Sequence, residues 1–266
     1  MVDKNFRFRR LGWSGVEIEF DGQTLLIDYI TDTSKLAVLR SQEEPFPPAS
    51  KPGGASAALI THLHSDHADP EALLSALNSS AKVFRPVPAA GSPADLALTI
   101  NAESAFATSG LQTEILTEWE ERTLGPYKIS SAPAVDGFGD PQLSWIVECG
   151  GRKIIHAGDT LFHGFWWRIA NKYGPFDVAF LPINAPIVNF PPLRPMNPLE
   201  AVMSPEQAAV AAHLIGARTV VPIHYGSLHK PPLYHETPKS LERLSNKLNE
   251  YQIQAIVCQP GIWCEL

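Results

Sequence analysis

The sequence predicts one αβ domain whose sheets are covered by helices. Three observations predict it. Short apolar or alternating segments recur in both halves of the chain, and several are followed by a capped helix. Of the 266 residues, 44% are hydrophobic and 18% charged, a globular composition with chain enough for one substantial core. No internal repeat or low-complexity linker divides the chain, so residues 1–266 read as a single domain.

Each element has a local reason. Glu17–Phe20 and Thr24–Asp28 read as two strands around an Asp21-Gly22 hairpin turn. Glu44 to Gly54 is rich in proline and reads as an exposed loop. Ala57–Ile60 is a short apolar strand. A helix starts after Asp69, which caps it, and Pro70 suits its first turn. Strands follow at Tyr127–Ala132, Leu143–Cys149 and Arg152–Ala157, the last two joined at Gly150-Gly151. Val178–Leu181 is a buried strand. Ser204-Pro205-Glu206-Gln207 is a capping box for a helix that stops near Gly216, before a strand at Thr219–Ile223. Thr237-Pro238 opens the last helix, with Leu241, Leu244 and Leu248 on one face. Many of the 24 prolines fall in Pro45–Pro52 and Pro182–Pro198, which read as rigid loops. The apolar residues Ile187, Val188, Phe190 and Leu193 make the second of these a candidate pocket wall.

Composition also narrows function. The net charge is −7 and no Lys/Arg run is present, so a nucleic-acid partner is not expected. Cys149, Cys258 and Cys264 are too few and too odd in number for a disulfide framework, which suits a reducing compartment. The charged start MVDKNFRFRR is not a signal peptide and no segment reads as transmembrane. The expected setting is the cytoplasm.

The chemistry concentrates in Thr61-His62-Leu63-His64-Ser65-Asp66-His67, between a buried strand and a capped helix. Residues two apart on an extended chain point the same way, so His62 and His64 can face one metal. The chain then turns toward Asp69, and Asp66 and His67 can be aimed at a second point nearby. Neutral imidazole and carboxylate suit zinc, iron and manganese. A surface histidine cluster is the plain alternative. His213 and His156 read as structural, and His235 as a loop residue.

The segment HLHSDH resembles the HxHxDH motif of the metallo-β-lactamase-fold hydrolases. Ile154–Thr160 resembles that superfamily's strand ending in Gly-Asp-Thr, Val221–Gly226 its late ligand histidine, and Leu26-Ile27-Asp28 its early supporting aspartate. The likeness runs from Leu11 to Gly261 in the same order. Gly174–Asp177, Leu181–Ile183 and Ser204–Glu206 are similar to a stand-alone branch that includes N-acyl-phosphatidylethanolamine phospholipase D and ascorbate-phosphate lactonase relatives. The resemblance implies a four-layer αβ/βα sandwich and two divalent ions, zinc foremost and manganese or iron as alternatives. It implies that His62, His64 and Asp136 bind the first ion, that Asp66, His67 and His224 bind the second, and that Asp159 bridges them. Asp28 would support a ligand histidine through its second ring nitrogen. Asp66 would also orient the attacking water or take its proton.

One position departs from that pattern. The family's mid-chain histidine is absent, for no histidine lies between His67 and His156, and Asp136 of Pro133-Ala134-Val135-Asp136 is the candidate replacement. A turn role before Gly137 is the alternative. His163 and His229 are candidates for touching substrate.

The implied activity is hydrolysis of a small ester, lactone or phosphodiester by a metal-bound hydroxide. Two other classes stay open: a nucleic-acid phosphodiesterase of the same fold, and a non-hydrolytic metal-binding or redox protein. The acidic charge counts against the first, and the second histidine of HxHxDH, where diiron redox relatives carry Glu, counts against the second.

Overall fold

The computed structural model describes residues 6–40 and 45–266. The charged start through Asn5, and Glu44 at the head of the proline-rich loop, lie outside the described residues. The strands, in chain order, are β1 (Arg7–Arg10), β2 (Val16–Phe20), β3 (Gln23–Ile27), β4 (Ala55–Leu59), β5 (Leu77–Arg85), β6 (Thr113–Ile115), β7 (Glu121–Leu124), β8 (Tyr127–Pro133), β9 (Leu143–Cys149), β10 (Arg152–His156), β11 (Phe176–Pro182), β12 (Ile187–Val188), β13 (Ala217–Ile223), β14 (Tyr234–His235), β15 (Gln254–Ala255) and β16 (Cys264–Glu265). The helices are α1 (Pro70–Ala76), α2 (Ile100–Ser109), α3 (Trp166–Tyr173), α4 (Pro205–Leu214) and α5 (Ser240–Glu250).

The strands form two seven-stranded sheets, ordered β16-β1-β2-β3-β4-β5-β6 and β15-β13-β11-β10-β9-β8-β7. In each, an antiparallel meander leads into strands paired in parallel: β3 with β4 and β5 in the first, β10 with β11 and β13 in the second. The second half therefore repeats the plan of the first although no residue pattern repeats. Topology needs only the periodicity to recur, not the residues.

Alternation sorts side chains into layers. Leu25 and Ile27 face the second sheet, while Leu26 between them faces the outer helices α1 and α2. On β11, Val178 and Phe180 face the first sheet, and Ala179 and Leu181 pack with α3, α4 and α5. The result is helix, sheet, sheet, helix: the four-layer αβ sandwich. A fourth cluster, with Trp13, Ile30, Leu36, Val202, Leu228 and Tyr234, roofs the end where the parallel strands of both sheets finish.

Caps account for where the helices start. Asp69 accepts from Ala72 N, and Ser204 makes the full capping box with Gln207. The last helix begins later than Thr237-Pro238 suggests: Lys239, at φ 56, precedes a first residue at Ser240. Among the described residues no helix is long and apolar enough to cross a membrane.

Candidate metal centre

Strand ends supply nearly every residue of the site. Asp28 follows β3, the segment from His62 to His67 follows β4, and Asp136 follows β8. Asp159 follows β10, Asn184 follows β11 and His224 follows β13. Ligand sites collect at such ends because the chain leaves the sheet there and its side chains are released from the pleat. Asp28 and His224 take left-handed backbone angles, φ 47 and φ 55, which cost about 1–3 kcal/mol each. Gly158 allows the two sheets to meet at this point. At φ +66, a Cβ there would lie 2.8 Å from Thr61 Cβ.

Each ring has a partner behind it and a free nitrogen in front. Leu63 is buried in the outer layer, which turns His62 and His64 the other way. The Nδ1 of His67 lies 2.8 Å from Asp28 Oδ2, which also accepts from Thr61 Oγ1 at 2.7 Å. Thr61 Oγ1 lies 3.0 Å from His62 Nδ1. Asn184 Oδ1 lies 2.8 Å from His224 Nδ1. Trp13 Nε1 donates to Asp66 Oδ2 at 3.0 Å, and its ring covers His224 with centroids 4.1 Å apart. In front, Asp159 places Oδ1 at 3.1 Å from His67 Nε2 and Oδ2 at 2.6 Å from His224 Nε2. Asp66 Oδ2 is 3.6 Å from both of those nitrogens.

Four buried atoms of this centre make no well-formed hydrogen bond: His62 Nε2, His67 Nε2, His224 Nε2 and Asp159 Oδ1, the last three meeting a neighbour only through the ion-pair contacts above. Buried polar atoms are rarely left this way, because an unmet one costs about 1–3 kcal/mol. Their convergence fits cation ligation. Asp66, His67, Asp159 and His224 offer atoms within 4.8 Å of one another, as do His62, His64 and Asp66. The electrostatics agree. Burial works against the Asp159 and Asp66 carboxylates, yet the imidazoles of His224 and His67 hold both well below the usual carboxylate range. Burial, and after it the neighbouring His67 and His64 imidazoles, pushes His62 well down.

Asp136 sits differently. Its Oδ2 accepts from Phe138 N at 2.8 Å and Asp140 N at 3.1 Å, closing a tight turn. That turn brings Asp140 Oδ2 to 2.8 Å from His64 Nε2. Asp136 is within ligand reach of His64 and Asp140; among the described residues no such group joins it to His62. Burial pushes its carboxyl up.

A cavity of about 120 Å³ opens onto the centre. His64, Ser65, Asp66, Asp159 and His224 form its polar floor, and Leu36, Leu39, Leu98, Phe138, Phe190 and Leu228 its apolar walls. From the proline-rich segment Pro186 and Phe190 line it; Ile187 and Val188 form β12, and Leu193 lines a neighbouring groove. His163 and His229 are not among its lining residues. His163 stacks on Trp166, and burial holds its ring down to about 4. His229 is exposed and stands beside His235, ring centroids 5.5 Å apart. His156 is a core residue whose Nε2 meets Ser14 O at 2.8 Å. Sequence reasoning missed Trp13, Asp140, Asn184 and Tyr234, all of which touch the centre or its cavity.

Residues 23–225 match the family model described as beta-lactamase superfamily domain. A UPF0173 metal-dependent hydrolase of Thermococcus kodakarensis is 28% identical over 262 residues, 96% of this chain and 97% of that protein. Another, of Rubrobacter xylanophilus, is 36% identical over 139 residues, 51% of this chain and 50% of that protein. Among solved structures, a metallo hydrolase of Ignicoccus hospitalis superposes with a TM-score of 0.65 at 21% identity, covering 98% of this chain and 99% of that one. The diiron β-hydroxylase CmlA of Streptomyces venezuelae superposes with a TM-score of 0.75 at 15% identity, over 99% of this chain and 54% of that one. At these identities the two structures bear on the fold alone.

Proposed function

Because the chain belongs to the beta-lactamase superfamily domain family, we propose that it is a metal-dependent hydrolase, one domain over residues 1–266, acting on a small ester or lactone. The observation that carries this reading is the convergence of four buried ligand atoms that make no well-formed hydrogen bond. In it, Asp66, His67, Asp159 and His224 hold one divalent ion. His62 and His64 hold a second, with Asp66 or Asp159 shared. Zinc suits this nitrogen-rich set; manganese or iron are the alternatives. Bound there, such ions make water a nucleophile near neutral pH and polarise a substrate oxygen.

The chain's own residues do the rest. Asp28, Thr61, Asn184 and Asp140 fix the rings from behind, so each presents one chosen nitrogen. Asp66, anchored by Trp13 through Oδ2, keeps Oδ1 for the reacting water and takes its proton. Asp136 spends Oδ2 on its turn, so its contribution to the ion at His62 and His64 runs through Asp140. The apolar walls exclude bulk water and seat an acyl chain or ring. No Lys or Arg is among the cavity's lining residues, which favours an uncharged ester over a phosphodiester or a nucleic acid.

The test is metal content beside hydrolysis. Protein purified without chelator is expected to carry more than one equivalent of zinc, manganese or iron and to cleave 4-nitrophenyl acetate or γ-butyrolactone. Removing the metal is expected to abolish turnover, and restoring it to recover turnover. Full activity in metal-free protein would end the proposal.

A further inference from the structure

We propose that Tyr234 is a catalytic residue that donates its phenolic hydrogen to the substrate oxygen on which negative charge accumulates, and that Asn184 is the positioning residue that frees this hydrogen. The inference deepens the hydrolase reading above and rests on it.

The argument begins at His224. For Nε2 to give its lone pair to a cation held with Asp159 and Asp66, the proton must sit on Nδ1. The partner of Nδ1 is Asn184, so the atom facing it at 2.8 Å must be the amide oxygen. That choice fixes the other end of the amide. Asn184 Nδ2 then donates to Tyr234 Oη at 2.7 Å and occupies one of its lone pairs. No hydrogen-bond acceptor for the Tyr234 O–H is found among the described residues. An amide turned the other way would accept from Tyr234 and put the histidine proton on Nε2, where a metal ligand cannot carry one. Ligation at His224 and a free donor at Tyr234 are therefore two ends of one relay.

The donor is in the right place. Tyr234 lines the same cavity as Asp66, Asp159 and His224, and it is only 5% exposed. The short ladder β12–β14 holds it, with Val188 opposite Tyr234. Its ring stacks near Phe190, centroids 6.4 Å apart. Burial raises the phenol well above its usual range, so it keeps its hydrogen. A fixed donor in a dry cavity stabilises developing oxyanion charge without reorganising.

The test uses metal-loaded protein, with inorganic phosphate as a stand-in for a tetrahedral oxyanion and 4-nitrophenyl acetate as substrate. Tyr234→Phe keeps the ring and removes the donor. It is expected to keep its metal, to bind phosphate about 10- to 100-fold more weakly by calorimetry, and to lose about 10²- to 10³-fold in kcat with KM little changed. Asn184→Asp still accepts from His224 but captures the tyrosine hydrogen. It should reproduce both losses, and the double variant should add little. Wild-type phosphate affinity and kcat in Tyr234→Phe would overturn the proposal, and so would loss of metal from that variant, which would make Tyr234 structural. A wild-type chain that takes up no metal would overturn the hydrolase reading, and this one with it.

Discussion

Two positions lie side by side at the strand ends, and they are built unequally. Asp66, His67, Asp159 and His224 come from both sheets, and three of the four have their own partner behind them: Trp13, Asp28 and Asn184. The position around His62 and His64 draws on one loop of the first sheet. From the second sheet it receives Asp140, which reaches the back of His64, and Asp136, which is engaged in a turn. The contrast teaches that a ligand motif does not make a site by itself. What closes the position is a residue arriving from the other sheet with a free lone pair.

The largest effect that would break this comparison is at the residue both positions share. Asp66→Asn keeps size and loses charge, and turnover of 4-nitrophenyl acetate is expected to fall by about two to four powers of ten. Near wild-type turnover would put Asp66 outside the reacting shell. A smaller effect sharpens the contrast between the supports. Asp28→Asn and Asp140→Asn each weaken a carboxylate behind a ring, and such changes typically cost about 10- to 100-fold in metal affinity. Titration with a competing chelator is expected to show Asp28→Asn loosening the tightly held ion and Asp140→Asn the other. A reversed pattern would exchange the two assignments. The smallest effect concerns Asp136→Asn. The amide oxygen still accepts from Phe138 and Asp140, so the affinity of the second ion should change by less than about fivefold, the worth of one hydrogen bond near 1 kcal/mol. Loss of that ion would return Asp136 to the role of direct ligand.

Legibility from sequence follows the range of each interaction. The strands were legible because apolar runs such as Leu25–Ile27 and Val178–Leu181 are local, but which side chains face the other sheet and which the helices was not, since every one of them is apolar. The segment His62–His67 was legible because the spacings of its four polar ligand candidates are fixed within one loop, and Asp69 because a cap is decided within three residues. Asp140 was not, since a carboxylate in a Gly-rich turn looks like any solvated acid until the turn folds against His64 from 76 residues away. Asn184 and Tyr234 were hidden for the same reason, being 50 residues apart in sequence and joined only through the roof of the cavity. The late start of the last helix was missed because Lys239 takes a left-handed angle, which no propensity suggests for lysine. The repeated sheet plan was invisible because its two copies share a period and no residues.

The final strand does not stay with the sheet of its own half. β16 crosses back to pair with β1, so that Arg7 stands opposite Glu265 and Phe8 opposite Cys264. The described ends of the chain are thus neighbours on one sheet edge, while β6 and β7 are joined by a short stretch in which Leu116 is buried in the core and Thr117 and Glu118 are exposed. A link across that edge would close the described chain into a ring, and opening it between the exposed Thr117 and Glu118 would leave chain direction through each strand unchanged. Such a circular permutant would meet Asp159 and His224 first and the HLHSDH segment last, and the same atoms would still converge. The centre depends on which strand ends stand together, not on the order in which the chain reaches them.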